Sequence, residues 1–289
     1  RELDVPPPMS GEGAHLKALA KAMLEGPVLA ELSDAPAQLK QYLRRIQPAS
    51  LTPFERRGID LFEHRFPIRL FGEGTIRGTG GLQVIDAECR TSIAGLHAAG
   101  DCATRELVAG ATSGGGAQNA AWALTSGRIA GEAAARAALQ QGRRGTTRPH
   151  PAGRAGLRPT AQVKPIDLSS VISAVQACTV DFDGTLWRSE ARLTLAQARL
   201  DALWRDLADH GHATGLARVH LREQAAMIAS ARWVGAAALT RRESRGLHMR
   251  TDTPGIDPAL GQRLLAGGLD RIWTRFDAPH PISLTEAAA

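Results

Sequence analysis

The residues best suited to chemistry are an acid, a run of glycines and a helix start that follow one another closely. Asp101 stands behind Gly100 at the end of a small-residue run, 95–99, and Gly114, Gly115 and Gly116 precede an Ala-rich helical stretch. A carboxylate at the carboxyl end of a strand can accept hydrogen bonds from the hydroxyls of a sugar alcohol. The first amide groups of a helix have no intrahelical partner and carry the positive end of its dipole. Such an end suits an anion or the electron-rich edge of a ring. Together these groups point to a ligand that is flat and polar.

Two strands and a turn must position them. Residues 82–85 form a short apolar run, 86–90 a polar turn and 95–99 a second strand, after which the helix is predicted to begin at Gly116. Upstream, 72–81 reads GEGTIRGTGG, a stretch that invites a nucleotide-loop reading. A dinucleotide fingerprint needs a strand before its glycines and a helix after them, whereas here a strand follows. The stretch is therefore discounted, and the G-x-G-x-x-G strand-helix unit of a complete dinucleotide fold is missing from this sequence.

At these residues the chain resembles a known family. TSIAGLHAAGD at 91–101, a glycine-rich turn and AQNAAWALTSGRIAGEAA at 117–134 are similar to the second half of the FAD-binding domain in the fumarate reductase, succinate dehydrogenase and L-aspartate oxidase flavoproteins. A second segment, RRESRGLHMRTDTP at 241–254, resembles the SRGLH or SRGAH segment that ends the bundle helices of that family. The resemblance implies an α/β fold class: the second half of an FAD-binding, Rossmann-like domain with a partial cap and a C-terminal helical bundle. It implies FAD as cofactor, with Asp101 on the ribityl chain, Gly100 beside it, and Gly116, Ala117, Gln118, Asn119 and Ala120 along the isoalloxazine edge. Arg245 and His248 take a structural role. The implied partners are a small-molecule substrate, an electron-transfer partner and a missing N-terminal FAD-binding half.

The departures from the family pattern bear on substrate. Where the family carries an Asn-Arg pair in a GANRLGSNSL segment, this chain has Thr112 and Ser113, and Ile76 stands where a substrate-gripping His is found. Arg77 is then the best local cation for a substrate anion, the catalytic candidate, and Arg105 is second. These changes predict an FAD-dependent oxidoreductase whose substrate is not fumarate or succinate. The alternative is a non-catalytic piece or a subunit completed by a separate chain.

The expected domains are the tail of a helical cap or substrate domain at 1–75, the C-terminal half of the FAD-binding domain at 76–141, a linker at 142–166 and a helical domain at 167–289. In the cap, 14–24 and 37–45 carry helical spacing. Thr52, Pro53 and Glu55 form a capping box that predicts a helix to about His64. In the last domain Leu193, Ala196, Leu200, Leu203 and Leu207 recur at three and four residues, with Trp204 widening the stripe. Further helices are predicted at 167–176 and 216–240.

One motif is a decoy. Residues 181–186, DFDGTL, match the signature of haloacid dehalogenase-type phosphatases, in which the first Asp attacks phosphorus and Mg²⁺ assists. That site also needs a downstream Lys and a late pair of Asp residues, but the last Lys is Lys164 and no Asp pair follows. A turn between two bundle helices is the better reading.

Composition narrows the class. Over 289 residues, 43% hydrophobic content gives a soluble globular protein with no run long enough to span a membrane. The chain opens on Arg1, so its start reads as a cut. Its three cysteines, Cys89, Cys102 and Cys178, match no metal or disulfide spacing and suit a reducing cytoplasm. The net charge of +6 is densest at Arg143, Arg144, Arg148, Arg154 and Arg158 in a Gly/Pro-rich stretch, without the interleaved aromatics that stack bases. Nucleic acid is therefore not an expected partner.

Overall fold

The computed structural model describes residues 3, 14–70, 81–105, 117–142, 159 and 161–277. They divide between two compact units, one drawn from 1–72, 182–188 and 243–256, the other from 73–181, 189–242 and 257–289.

In the first unit, α1 (Ala14–Glu25) leads into strand β1 (Val28–Ala30), followed by α2 (Ala37–Ile46), α3 (Pro48–Glu55) and strand β2 (Phe66–Ile68), which pairs antiparallel with β1. The spacing-based helices at 14–24 and 37–45 are present. The capping box is not. Helix α3 begins at Pro48, and Thr52 lies inside it, donating its hydroxyl to the Pro48 carbonyl at 3.2 Å. The helix also stops far short of His64, because Gly58 adopts φ +69°. Its N–H bonds Glu55 O and that of Ile59 bonds Phe54 O, the paired closure of a Schellman motif.

The same unit receives two later pieces of chain. Beyond α5, a helix of the other unit at Leu168–Thr179, the short helix α6 (Phe182–Leu186) runs into β3 (Trp187–Arg188), which pairs parallel with β4 (Met249–Arg250).

The second unit holds α4 (Ala117–Gln141), α5, α7 (Glu190–His210) and α8 (Ala217–Thr240). Val171, Val175, Leu200, Trp204, Leu207, Leu221, Ala225 and Ile228 close the core among α5, α7 and α8. The predicted stripe on α7 is the buried face, since its members repeat on one side of a 3.6-residue helix. Asp167 caps α5, its carboxylate accepting from the backbone of Ser169 and Ser170.

Helical spacing did not announce the end of this unit. After α8 the chain forms an antiparallel hairpin, β5 (Arg263–Gly267) and β6 (Trp273–Asp277), so the last domain is not helical throughout. The hairpin docks on α8 through Trp233, whose indole N–H donates to Gly268 O at 2.7 Å, and through Arg232, which donates to Leu269 O. Gly268 sits at φ +85°, and a Cβ on Gly267 would lie 2.4 Å from the Trp273 ring.

The strands expected at 82–85 and 95–99 shrink to isolated bridges, Leu82 with Ala103 and Arg90 with His97. Asp86 takes the backbone N–H groups of Glu88 and Arg90 on one carboxylate oxygen, and Cys89 and Gly95 adopt positive φ. Side-chain bonding to the local backbone of this kind competes with a ladder. No helix among the described residues is long and apolar enough to cross a membrane.

Candidate functional site

The segment carrying Asp101 is fixed from both sides. Before it, Leu82 N–H donates to Cys102 O at 2.7 Å and Thr104 N–H to Leu82 O at 2.9 Å. Gly81 permits this crossing, since a Cβ there would meet the Ala103 carbonyl carbon at 2.6 Å. On the other side the peptide of Gly100, at φ +61°, is gripped by α4. Its N–H donates to the Ser126 hydroxyl at 2.9 Å, and its carbonyl accepts from the Trp122 indole at 2.8 Å. Ser126 Oγ in turn donates to Trp122 O at 2.5 Å and is buried.

A buried polar group left unmatched is costly, so this pairing holds the turn to the helix at a defined height. Asp101 then opens the 3-10 turn Gly100–Cys102 with its side chain exposed. Gly100 and Asp101 thus come to α4 through Trp122 and Ser126, neither of which the sequence reading singled out. A Trp and a Ser four residues apart on an otherwise Ala-rich helix are the available clue, because that spacing puts them on one face.

The other expected residues lie at the start of α4. Ala117 and Gln118 open the helix, their side chains outside the described set; Gly116, with Ile76, Arg77, Thr112 and Ser113, lies outside the described residues altogether. Ala120 is exposed. Asn119 is half-buried, and its Oδ1 is closed off from solvent without a hydrogen-bond partner. Nearby in sequence, His97 Nδ1 and the Nε and Nη2 atoms of Arg105 share that condition. A group carrying donors and anionic oxygens would satisfy such atoms, so the residues present fit a large polar cofactor.

The cysteines offer little chemistry. Burial pushes the thiol of Cys89 above its ordinary value, with the Asp86 charge adding to it, and burial does the same at Cys178. A thiol held protonated is a poor nucleophile.

The 241–254 segment holds two internal charge pairs. Arg245 grips the fully buried Glu243 with Nε at 2.9 Å and Nη2 at 3.0 Å, and Arg250 grips Asp252 with both at 2.7 Å. Arg188 donates to His248 Nδ1 at 2.7 Å; a guanidinium has only donors, so that nitrogen accepts and the ring proton sits on Nε2. Burial lowers the pKa of Arg188, and Arg250 beside it acts in the same direction.

The apolar run that precedes DFDGTL is helix α5, and where a turn is expected residues 182–186 of the motif form the short helix α6. Among the described residues no cluster of three His, Cys, Asp or Glu could hold a metal.

Comparison with known proteins bears on the whole chain. A family model described as the fumarate reductase flavoprotein C-terminal region matches residues 179–263. L-aspartate oxidase of Rhodospirillum rubrum is 49% identical over 67 residues, 22% of either chain. Among solved structures, quinol fumarate reductase of E. coli aligns with 94% of this chain and 49% of its own, at TM-score 0.66 and 18% identity. Adenylylsulfate reductase of Archaeoglobus fulgidus aligns with 96% of this chain and 51% of its own, at TM-score 0.63 and 18% identity. The chain therefore spans about half the length of these structures.

Proposed function

We propose that the chain carries the carboxy-terminal region of the fumarate reductase, succinate dehydrogenase and L-aspartate oxidase flavoproteins, a reading the matches support, and that it builds the second half of an FAD site in an FAD-dependent oxidoreductase. The observation that carries this reading is the clamp of Gly100 on Trp122 and Ser126, which holds an exposed carboxylate beside the helix whose first turn carries an unmatched acceptor. Asp101 would accept hydrogen bonds from the ribityl hydroxyls. Gly100 allows the turn, and Gly116, Ala117, Gln118, Asn119 and Ala120 would line the isoalloxazine edge, where the helix dipole favours electron density.

FAD, when bound, supplies the redox chemistry; this chain's residues supply position and electrostatics. Arg77 is the proposed cation for a substrate anion. A domain order of cap tail, FAD half, linker and carboxy-terminal domain accompanies this reading, as does a cytoplasmic setting. E. coli quinol fumarate reductase is named for a quinol as well as for fumarate, which favours a separate electron-transfer partner here too. The second reading is a chain inactive until a separate amino-terminal half completes it.

Flavin titration tests both. The isolated chain should bind FAD weakly or not at all, since half a site supplies only part of the contacts. With the other half supplied, Asp101→Ala should weaken binding by about 1.5 to 3 kcal/mol for each charge-assisted bond lost. Unchanged affinity by fluorescence titration removes Asp101 from the site. On substrate, the Thr112 and Ser113 loop and Ile76 replace two anion-binding groups, and losing one preorganised donor typically costs roughly 10²- to 10³-fold in rate. The complete protein should thus neither reduce fumarate nor oxidise succinate or L-aspartate; turnover near about 10 per second in stopped-flow assays overturns this.

A further inference from the structure

Arg105 follows the Asp101 turn by a few residues and is only 3% exposed, yet its Nε and Nη2 have no hydrogen-bond partner. Arginine carries five donors, accepts nothing and has no neutral form available in proteins. Burying donors without hydrogen-bond partners is costly to a fold.

Other arginines of this chain show what those two atoms do when satisfied. Arg245 binds Glu243 and Arg250 binds Asp252 through the same Nε and Nη2 edge, side by side, at 2.7 to 3.0 Å. Arg65 meets Glu31 with that edge as well, at 2.7 and 3.3 Å. This edge is the part of the fork that matches two oxygens of a planar oxyanion. At Arg105 it is buried and unpaired.

The neighbouring backbone is held in place, since Thr104 N–H bonds Leu82 O at 2.9 Å and Ala103 is fully buried. Asn119 Oδ1 is an acceptor that also lacks a partner. The two residues therefore do not satisfy each other, and each looks to a third group. Of the eight such buried side-chain atoms among the described residues, three belong to His97 and Arg105, which flank Asp101 in sequence, and a fourth to Asn119 on α4.

We infer that Arg105 binds an oxyanion, a carboxylate or a phosphate, through its Nε and Nη2 edge. The identity of the oxyanion rests on the proposed function: a phosphate would come from the cofactor and a carboxylate from the substrate. The anchoring itself requires no flavin.

The experiment is thermal unfolding of the full chain at constant ionic strength, with inorganic phosphate in one arm and succinate in the other. A bound anion stabilises by mass action, and the wild-type melting temperature should rise by roughly 5 °C at saturating ligand in at least one arm. The arm that responds identifies the source. Arg105→Met should abolish the rise, and in the absence of anion it should melt no lower than wild type, because it removes two buried donors that have no partner.

An Arg105→Met protein that melts well below wild type, or fails to fold, makes the side chain structural and overturns the inference. So does a wild-type chain indifferent to both anions, or an anion response that survives in Arg105→Met. If FAD titration of the completed protein fails while the anion response stands, the flavin reading falls and Arg105 remains. If FAD binds as proposed with no anion response, Arg105 alone falls.

Discussion

The helical bundle and the Asp101 segment, both in the same compact unit, satisfy themselves to different degrees. In the bundle, α5, α7 and α8 bury a continuous apolar core, and its buried cation Arg232 has Asp201 at 2.6 Å, the Trp204 ring at 5.3 Å and the Leu269 carbonyl. Around Asp101 the ladders are single bridges, and Arg105 Nε and Nη2 and Asn119 Oδ1 have no hydrogen-bond partner among the described residues. The bundle also leaves Gln197 Oε1, Trp204 Nε1 and Gln224 Oε1 unmatched, but these are single acceptors and a lone indole donor, whereas at Arg105 two adjacent donors of a cation stand unmatched. A bundle of this kind needs only its own side chains, whereas a cofactor site must hold donors and acceptors in reserve at a cost in stability.

That contrast can be broken most forcefully in the bundle. Leu207→Ala or Ile228→Ala, both at fully buried positions, should cost about 2 to 5 kcal/mol of unfolding free energy in urea titrations. The loss should be the same with and without flavin. A flavin-dependent loss would tie the bundle to the site and dissolve the distinction.

Next comes the clamp. Ser126→Ala leaves the Gly100 N–H without its acceptor and should cost about 1 to 3 kcal/mol. Hydrogen exchange should show faster exchange at Gly100 and, in the completed protein, weaker FAD binding. Exchange unchanged at that amide would mean another acceptor holds the turn.

A smaller effect is expected at the α5 cap. Hydrogen bonds from the Ser170 and Ser169 side chains, with help from their backbone amides, lower the Asp167 carboxyl from 3.8 to about 2. A depressed carboxylate stabilises fully above its unfolded value, and that stability is lost as pH falls from about 4 towards about 2. Asp167→Asn should therefore flatten this part of the acid unfolding curve followed by circular dichroism, leaving neutral stability nearly unchanged. A curve that overlays wild type throughout would show that the cap does not couple to folding.

The smallest effect belongs to Asp101 itself. Because its side chain is exposed, Asp101→Ala should change the stability of the chain by no more than about 0.5 kcal/mol, while altering FAD binding in the completed protein. A large stability change would recast Asp101 as a structural residue and weaken its assignment to a cofactor.

Helix periodicity carried most of what was legible. The stripe from Leu193 to Leu207, the helices at 14–24, 37–45 and 216–240 and the long helix after Gly116 were all readable, because a 3.6-residue repeat is a local property of the chain. The family segments at 91–134 and 241–254 were readable for the same reason, being contiguous. The helix forecast to reach His64 failed because Gly58 closed it, and a Schellman closure depends on how the next residues turn back. The hairpin at 263–277 went unseen although WTRFD alternates, since the stretch offers only five residues to a strand.

By itself, then, the sequence determined the helices, the glycine-dependent turn and the acid that stands in it. Tertiary structure decided what holds that turn and what lies buried beside it. Gly100 meets Trp122 and Ser126 across 22 and 26 residues, Arg232 meets the hairpin across 37, and Arg105 is buried with its Nε and Nη2 unmatched. No local pattern encodes such encounters. They follow from which surfaces close on one another once the helices exist, and a polar side chain's role is fixed only when the groups around it, or their absence, are in place.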